Sequence, residues 1–405
     1  MTIAQIDTSP LARRRRAVWP LETGLTYLNH GSYGSCPAFV LEKQAELRAR
    51  LECDPTRFFK VDLEGLCDRA REGIGRFVNA PAEDIALMPN GTVAMAVAMN
   101  AVELEPGDEI VATDHEYAAT FNELARICER SGAVVVKARV SLPVTGPEAV
   151  VEAVASAMTD RTRLIVVSHI ASASAIIFPA QEIADLANER GIPILLDGAH
   201  TPGQIEIDMA ALEPAFYAAS CHKWVNAPKG TGFLYARPDM QGRVRALAQS
   251  CRVHVARPER KAFLCDTDYV GTNDYSANLV IPDAIEHMAA QLPGGWPAIM
   301  KANHDKIVAA INLVTGRTPA TPIAPPEMIG SMASVALPPN PSPERPTVYD
   351  DPLQDALLER HRIQVPVWDI PGVAPRVMRI SAQLYNEQAE YKALAEAINE
   401  ELGRE

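Results

Sequence analysis

At 405 residues the chain is longer than one ordinary hydrophobic core, so two unequal lobes are expected. Hydrophobic residues make up 47% and charged residues 22%, a globular balance, and no apolar run approaches the roughly 20 residues that span a bilayer. The net charge of -13 argues against a surface that tracks nucleic-acid phosphates or anionic lipid, which leaves small molecules as the expected partners.

Residues 1–24 read as an N-terminal arm. Its Arg13-Arg14-Arg15-Arg16 run is followed by Ala-Val-Trp-Pro and Glu22, where an export signal would need an apolar stretch, so a solvated arm is expected. The seven cysteines are odd in number and contain no Cys-x-x-Cys pair. Neither a disulfide framework nor a zinc site is indicated, and a reducing cytoplasm fits.

Residues 25–275 are expected to form the large domain. From about residue 85 to 236, short β-branched runs alternate with helical patterns, the signature of a parallel sheet faced by helices. Ile110–Thr113, Ala133–Val136, Leu164–Ser168, Ile194–Asp197, Phe216–Ser220 and Gly232–Tyr235 read as strands, several of them apolar throughout, as strands buried on both faces should be. The clearest helix is Ala180–Arg190, with Ile183, Leu186 and Ala187 on one face and Gly191 as its C-terminal cap. Residues 276–405 read as a smaller domain: a long helical region, then a proline-rich stretch around Pro319–Pro346 interrupted by apolar Met332–Leu337. Two β-like runs, Ile363–Val367 and Val377–Ala382, and a closing helix from Glu387 complete it.

In open α/β sheets ligands sit beyond the carboxyl ends of the strands. Four strand ends deliver polar clusters: Asp114-His115, Ser168-His169, Asp197-Gly198-Ala199-His200 and Ser220-Cys221-His222-Lys223. Asp197 closes an apolar strand, where a carboxylate requires a cation or hydrogen-bond donors, and a protonated pyridine nitrogen would supply one. Lys223 precedes Trp224 after another buried-looking strand, and a desolvated lysine gives up its proton readily. A plain Asp197–Lys223 ion pair is the competing reading. Upstream, Asn90-Gly91-Thr92 opens the apolar helix Val93–Val102, either as an anion site or as an ordinary cap. Anion site, pyridinium partner and lysine nucleophile together are what pyridoxal 5'-phosphate (PLP) asks of a protein.

Three of the four strand-end clusters fall within a set of longer motifs: Tyr-Leu-Asn-His-Gly-Ser-Tyr-Gly (27–34), Asp-His-Glu-Tyr (114–117), Asp-Gly-Ala-His (197–200), Ser-Cys-His-Lys-Trp-Val-Asn-Ala-Pro-Lys-Gly-Thr-Gly-Phe-Leu-Tyr (220–235), Gly-Thr-Asn-Asp (271–274) and Arg-Ile-Ser-Ala-Gln-Leu-Tyr-Asn (379–386). In this order they resemble the class V aminotransferase superfamily of fold type I PLP enzymes, in a branch similar to isopenicillin N epimerase. The resemblance implies an α/β fold with a large, mainly parallel, seven-stranded-type sheet domain and a smaller α+β C-terminal domain. It implies Lys223 as the residue that carries PLP, Asp197 as partner of the pyridine nitrogen, and His115 as the aromatic on the cofactor ring, with Tyr117 as the alternative. Ser172 is expected at the phenolic oxygen and His200 beside the ring. Gly91, Thr92, Ser220 and His222 match phosphate ligands, and Thr272 matches a residue that reaches the phosphate of a neighbouring subunit, which implies a homodimer. Arg379 matches the holder of the substrate carboxylate, a bidentate task that suits a guanidinium, although a structural acid is its alternative partner. Asn29 and Tyr33 complete the expected substrate-binding set, and His169 and Cys221 are expected to pack or orient.

Fold and cofactor leave the reaction open, because PLP stabilises any Cα carbanion. Epimerisation is the first expectation, with carbon–sulfur β-elimination and transamination as alternatives. An epimerase needs a second proton carrier, for which Tyr33 and Tyr117 are the candidates. Desulfurase chemistry is disfavoured because no cysteine follows Cys265. An idle binding protein on the same fold is disfavoured by the intact Lys223 and phosphate motif.

Overall fold

In the computed structural model, which describes residues 18–253 and 257–405, the apolar runs pair laterally into a seven-stranded sheet. The Arg13–Arg16 arm lies outside the described residues. In chain order the strands are β1 (Ile85–Met88), β2 (Glu109–Thr113), β3 (Val134–Ala138), β4 (Thr162–Ser168), β5 (Ile194–Asp197), β6 (Phe216–Ser220) and β7 (Gly232–Ala236). They are arranged β1-β7-β6-β5-β4-β2-β3. Strands β6, β5, β4, β2 and β3 are parallel, whereas β7 runs antiparallel to both β6 and β1.

Every residue of β5 and β6 is buried, which is why both read as unbroken apolar runs. Strand β3 is different: it closes the sheet edge, only Ala138 is buried in it, and it starts one residue later than expected. Strand β1 escaped the sequence reading, because a four-residue apolar run ahead of a helix cap carries no period of its own. The helix after it spans Gly91–Met99 rather than Val93–Val102, since Asn90 Oδ1 accepts the Val93 amide at 2.9 Å and starts the first turn early. Helix Ala180–Glu189 ends near the expected residue, followed by Gly191 at a φ of +66°.

Two apolar layers cover the sheet. On one face Ile110, Val166 and Leu195 meet Ala94 and Ala98 of the Gly91–Met99 helix. On the other, Ile165, Leu196 and Tyr217 meet Ile183 and Ala187, and Leu279, Ile281 and Ala284 join the same layer.

The C-terminal lobe holds a four-stranded antiparallel sheet, β8 (Thr321–Pro322), β9 (Met332–Ala336), β10 (Val367–Ile370) and β11 (Ala374–Ser381), in the order β10-β11-β9-β8. Helices Gly295–Thr315 and Gln388–Leu402 cover it through Ile307, Ile311, Leu394 and Ile398. The expected strand Ile363–Val367 is divided at Pro366, which has no amide to donate. Its first half, Ile363–Gln364, pairs in parallel with Thr26–Tyr27, so the start of the large domain is tied to the small lobe. Leu28 O also accepts the Ser381 amide at 2.9 Å, and residues 29–34 are thereby held between the lobes. Among the described residues no helix is long and apolar enough to cross a membrane.

Candidate active site

The carboxyl ends of β4, β5 and β6 and the start of the Gly91–Met99 helix surround a cavity of about 510 Å³. Gly91, Thr92, Ser172, Asp197, His200, Ser220, His222, Lys223 and Tyr33, all expected from sequence, line it. Lys223 Nζ lies 2.9 Å from His200 Nε2. Burial, reinforced by Arg379 and opposed by Asp197, holds the Lys223 amine down to about 7. Burial also holds His200 well below its ordinary value, so the imidazole is neutral, and its Nδ1 is buried without a protein partner.

Asp197 closes β5 and accepts the Ala199 amide at 2.9 Å. Burial raises its carboxyl above the usual range, while the Ala199 amide and Lys223 work against that rise. Among the described residues no ion pair links Asp197 to Lys223, whose amine is turned to His200, so the plain ion pair is not formed. Behind Asp197, its carbonyl accepts the His169 amide at 2.9 Å, and His169 Nδ1 lies 3.0 Å from Tyr217 Oη. His169 and Cys221 are both buried.

At the other end of the cavity the Gly91 amide donates to Ser220 Oγ at 3.1 Å. A Cβ at Gly91 would stand 2.9 Å from that oxygen and 3.3 Å from Ala199 Cβ, so only glycine brings the helix start this close. His222 Nδ1 donates to Thr231 O at 3.1 Å, and burial lowers the ring to about 4. The neutral ring therefore presents a lone pair at Nε2. A phosphate oxygen meets that atom only by sharing a proton with it.

The segment between the lobes supplies the third wall. Arg379, buried on β11, donates to Ser172 O and to Ser32 Oγ, both at 2.7 Å, and its guanidinium lies 4.9 Å from the Trp368 ring centroid. Burial holds it down to about 10; its Nε has no partner and no ion pair to an acid forms among the described residues. His30 Nε2 donates to Lys223 O at 3.0 Å, which leaves Nδ1 to accept from Tyr385 Oη at 2.9 Å. One imidazole thus joins the lysine loop to the small lobe.

Four expected positions fall outside the lining: Arg379, which stands behind Ser32 and Ser172, and the three that follow. His115 does not line the cavity: its Nε2 donates to Val140 O at 2.8 Å, its Nδ1 lies 2.9 Å from Ser174 Oγ, and its ring packs against Phe178. Tyr117, the N-cap of helix Ala118–Ser131, takes the place in the wall. Asn29 is buried outside the wall and acts through Ser32, whose hydroxyl donates to Asn29 Oδ1 at 2.6 Å. Thr272 sits on an exposed turn with Oγ1 3.3 Å from Tyr269 Oη, outside this cavity. Ser32 and Ser168 line the cavity without having been singled out as ligands, although Ser32 lies inside the 27–34 motif and Ser168 in the Ser168-His169 strand-end cluster.

These residues fit PLP: an amine that sheds its proton near neutrality, a buried carboxylate free of ion pairs, an unpartnered imidazole nitrogen in the wall, and a glycine-started helix for the phosphate. Residues 57–292 match the family described as aminotransferase class-V. Isopenicillin N epimerase of Amycolatopsis lactamdurans is 33% identical, with 94% of this chain and 96% of that protein covered. A probable chloroplastic L-cysteine desulfhydrase of Arabidopsis thaliana is 28% identical, with 92% of this chain and 82% of that protein covered. Among solved structures, the cystine C-S lyase C-DES in complex with its product cysteine persulfide has a TM-score of 0.79 at 20% identity, with 93% of this chain and 97% of that chain covered, a likeness of fold. The chain therefore belongs to the class-V aminotransferase family and is a PLP-dependent enzyme.

Proposed function

We propose that the protein epimerises an α-amino acid: Lys223 takes the Cα proton, and a phenol in the cavity wall, Tyr33 or Tyr117, returns one from another side. The observation that carries this reading is the Lys223 amine, 2.9 Å from His200 Nε2 and held down to about 7, so that it is an available base at neutral pH. Two phenols in the same cavity meet the need for a second proton carrier. The cofactor, when bound, supplies the electron sink for charge left at Cα. Asp197 takes its pyridine nitrogen, Gly91, Thr92, Ser220 and His222 its phosphate, Tyr117 its ring face, and Ser172 and His200 its phenolic oxygen. Arg379, already oriented by Ser32 and Ser172 and lacking an acid partner, takes the substrate carboxylate. The large lobe, residues 25–275, carries the cofactor, and the small lobe, residues 276–405, contributes Arg379. Two chains form a homodimer in which Thr272 reaches the neighbouring phosphate.

β-Elimination from a cysteine conjugate is the second reading, favoured by the desulfhydrase relative and by the fact that it needs Lys223 alone. Incubation with amino acids and cysteine S-conjugates in deuterated water separates the two. Inversion with deuterium at Cα is the expected result. A keto acid with ammonia and a sulfur fragment establishes elimination instead, and amino transfer to an added keto acid with no inversion overturns both.

A further inference from the structure

A buried guanidinium is costly unless other groups meet its charge, and no acid pairs with Arg379 among the described residues. Two oxygens lie at its rim, Ser172 O and Ser32 Oγ, each at 2.7 Å. The third group is the ring of the half-buried Trp368: the guanidinium carbon lies over it, 4.9 Å from the centroid. The sheet places that ring. Trp368 on β10 is the register partner of Val377 on β11, and residues two apart on a strand share a face, so Trp368 and Arg379 are diagonal neighbours on one face. This face is turned to the large lobe. Ser334, opposite Arg379 on β9, donates through Oγ to Ala173 O at 2.7 Å, one residue from the carbonyl that Arg379 holds. Leu142 and Ala173 pack against the same cluster of Ile370, Ala374 and Val377 as Trp368 does.

The Trp368 Nε1 is buried without a hydrogen-bond partner, so the indole lacks the bond that usually fixes a buried tryptophan, and the polar partner it has is the cation over its face. An aromatic face does here what an acid could not. A carboxylate of the chain would pair with the in-plane N–H groups of Arg379 and compete with a substrate carboxylate for the same fork. The ring attracts the cation through its quadrupole and takes no N–H group. Arg379 Nε is accordingly left without a partner.

We propose that Trp368 is a positioning residue for the substrate carboxylate: its ring face stabilises the Arg379 cation and leaves the N–H groups of the guanidinium to the incoming carboxylate. The inference rests on the assignment of that carboxylate to Arg379 made above. Titration of the holoenzyme with L-alanine and with ethylamine, which is alanine without its carboxylate, followed by the absorbance of the bound cofactor, tests it without reference to turnover. In Trp368→Leu the dissociation constant for alanine is expected to rise about 10-fold, the scale of a desolvated cation–π contact, while that for ethylamine stays unchanged. Trp368→Phe keeps a ring face and is expected to stay within about threefold of wild type for alanine. Equal losses for both ligands, unchanged alanine binding in Trp368→Leu, or a Trp368→Phe variant as weak as Trp368→Leu overturns the proposal. Trp368→Met also removes the ring and carries the same prediction, so the test stands where the leucine variant fails to fold. Arg379→Ala separates the two readings. Weaker alanine binding there beside unchanged binding in Trp368→Leu sinks the role of Trp368 alone, whereas unchanged alanine binding in Arg379→Ala means that the carboxylate assignment itself has failed.

Discussion

At the scale of the residue, the account rests on one amine and one carboxylate whose protons are moved by burial. A lysine held down to about 7 binds fewer protons than the unfolded chain from there up to its ordinary value of about 10.4. Its contribution to apoprotein stability therefore rises with pH in that window and is lost as pH falls through about 7. The rate at which apoprotein captures PLP covalently should follow the neutral amine, rising with pH through the same midpoint; stopped-flow absorbance checks this, and a midpoint near that of an exposed lysine would contradict it. Asp197→Asn should still bind the cofactor but exchange the Cα proton roughly 10²–10³-fold more slowly, the scale of losing one charge-stabilising group in a dry site. Asp197 was legible in the sequence because it closes a strand, and Lys223 because it stands three residues beyond the end of the next one, and the sheet dictates where a strand end points. His115 and Tyr117 were not separable in the same way. Both follow the end of β2, where strand alternation has stopped, and the path of the turn decides which side chain enters the wall and which goes behind it.

At the scale of the element, the decisive piece is the segment 29–34, which the sequence marks as a motif without saying what it touches. Gly34 sits at a φ of +66°, and a Cβ there would stand 2.1 Å from His222 O. That contact presses the segment onto the Lys223 loop, while His30 and Ser32 hold Lys223 O and Arg379. Gly34→Ala should therefore destabilise the protein by at least about 1 kcal/mol and loosen cofactor retention, measurable as a lower thermal midpoint and as PLP lost on gel filtration. A variant with unchanged midpoint and cofactor content would show that the segment does not brace the lysine. The buried strands of the large sheet were readable as apolar runs. The edges were less so: β1 is short and abuts a cap, and the break at Pro366 moved half of an expected strand onto Thr26–Tyr27, a pairing set by tertiary contact rather than local pattern.

At the scale of the whole molecule, the cavity that holds Lys223 is braced from the C-terminal lobe, where Arg379 of β11 bonds to Ser32 and Ser172 in its wall. Most strands of the large sheet could be read along the chain as apolar runs, but the meeting of Arg379 with Ser32 and Ser172 is a long-range contact that no local pattern encodes. Arg379→Ala should leave PLP bound and lower kcat/KM for amino acids about 100-fold, close to 3 kcal/mol, chiefly through KM; steady-state kinetics with a substrate found by Cα exchange reads it directly. The central claim, that Lys223 carries the cofactor and faces the substrate, is tested most directly by borohydride reduction of the purified holoenzyme followed by peptide mapping. The account predicts the reduced cofactor mass on the peptide that contains Lys223, and its complete absence from that position in Lys223→Ala. The same mass on any other lysine would contradict it.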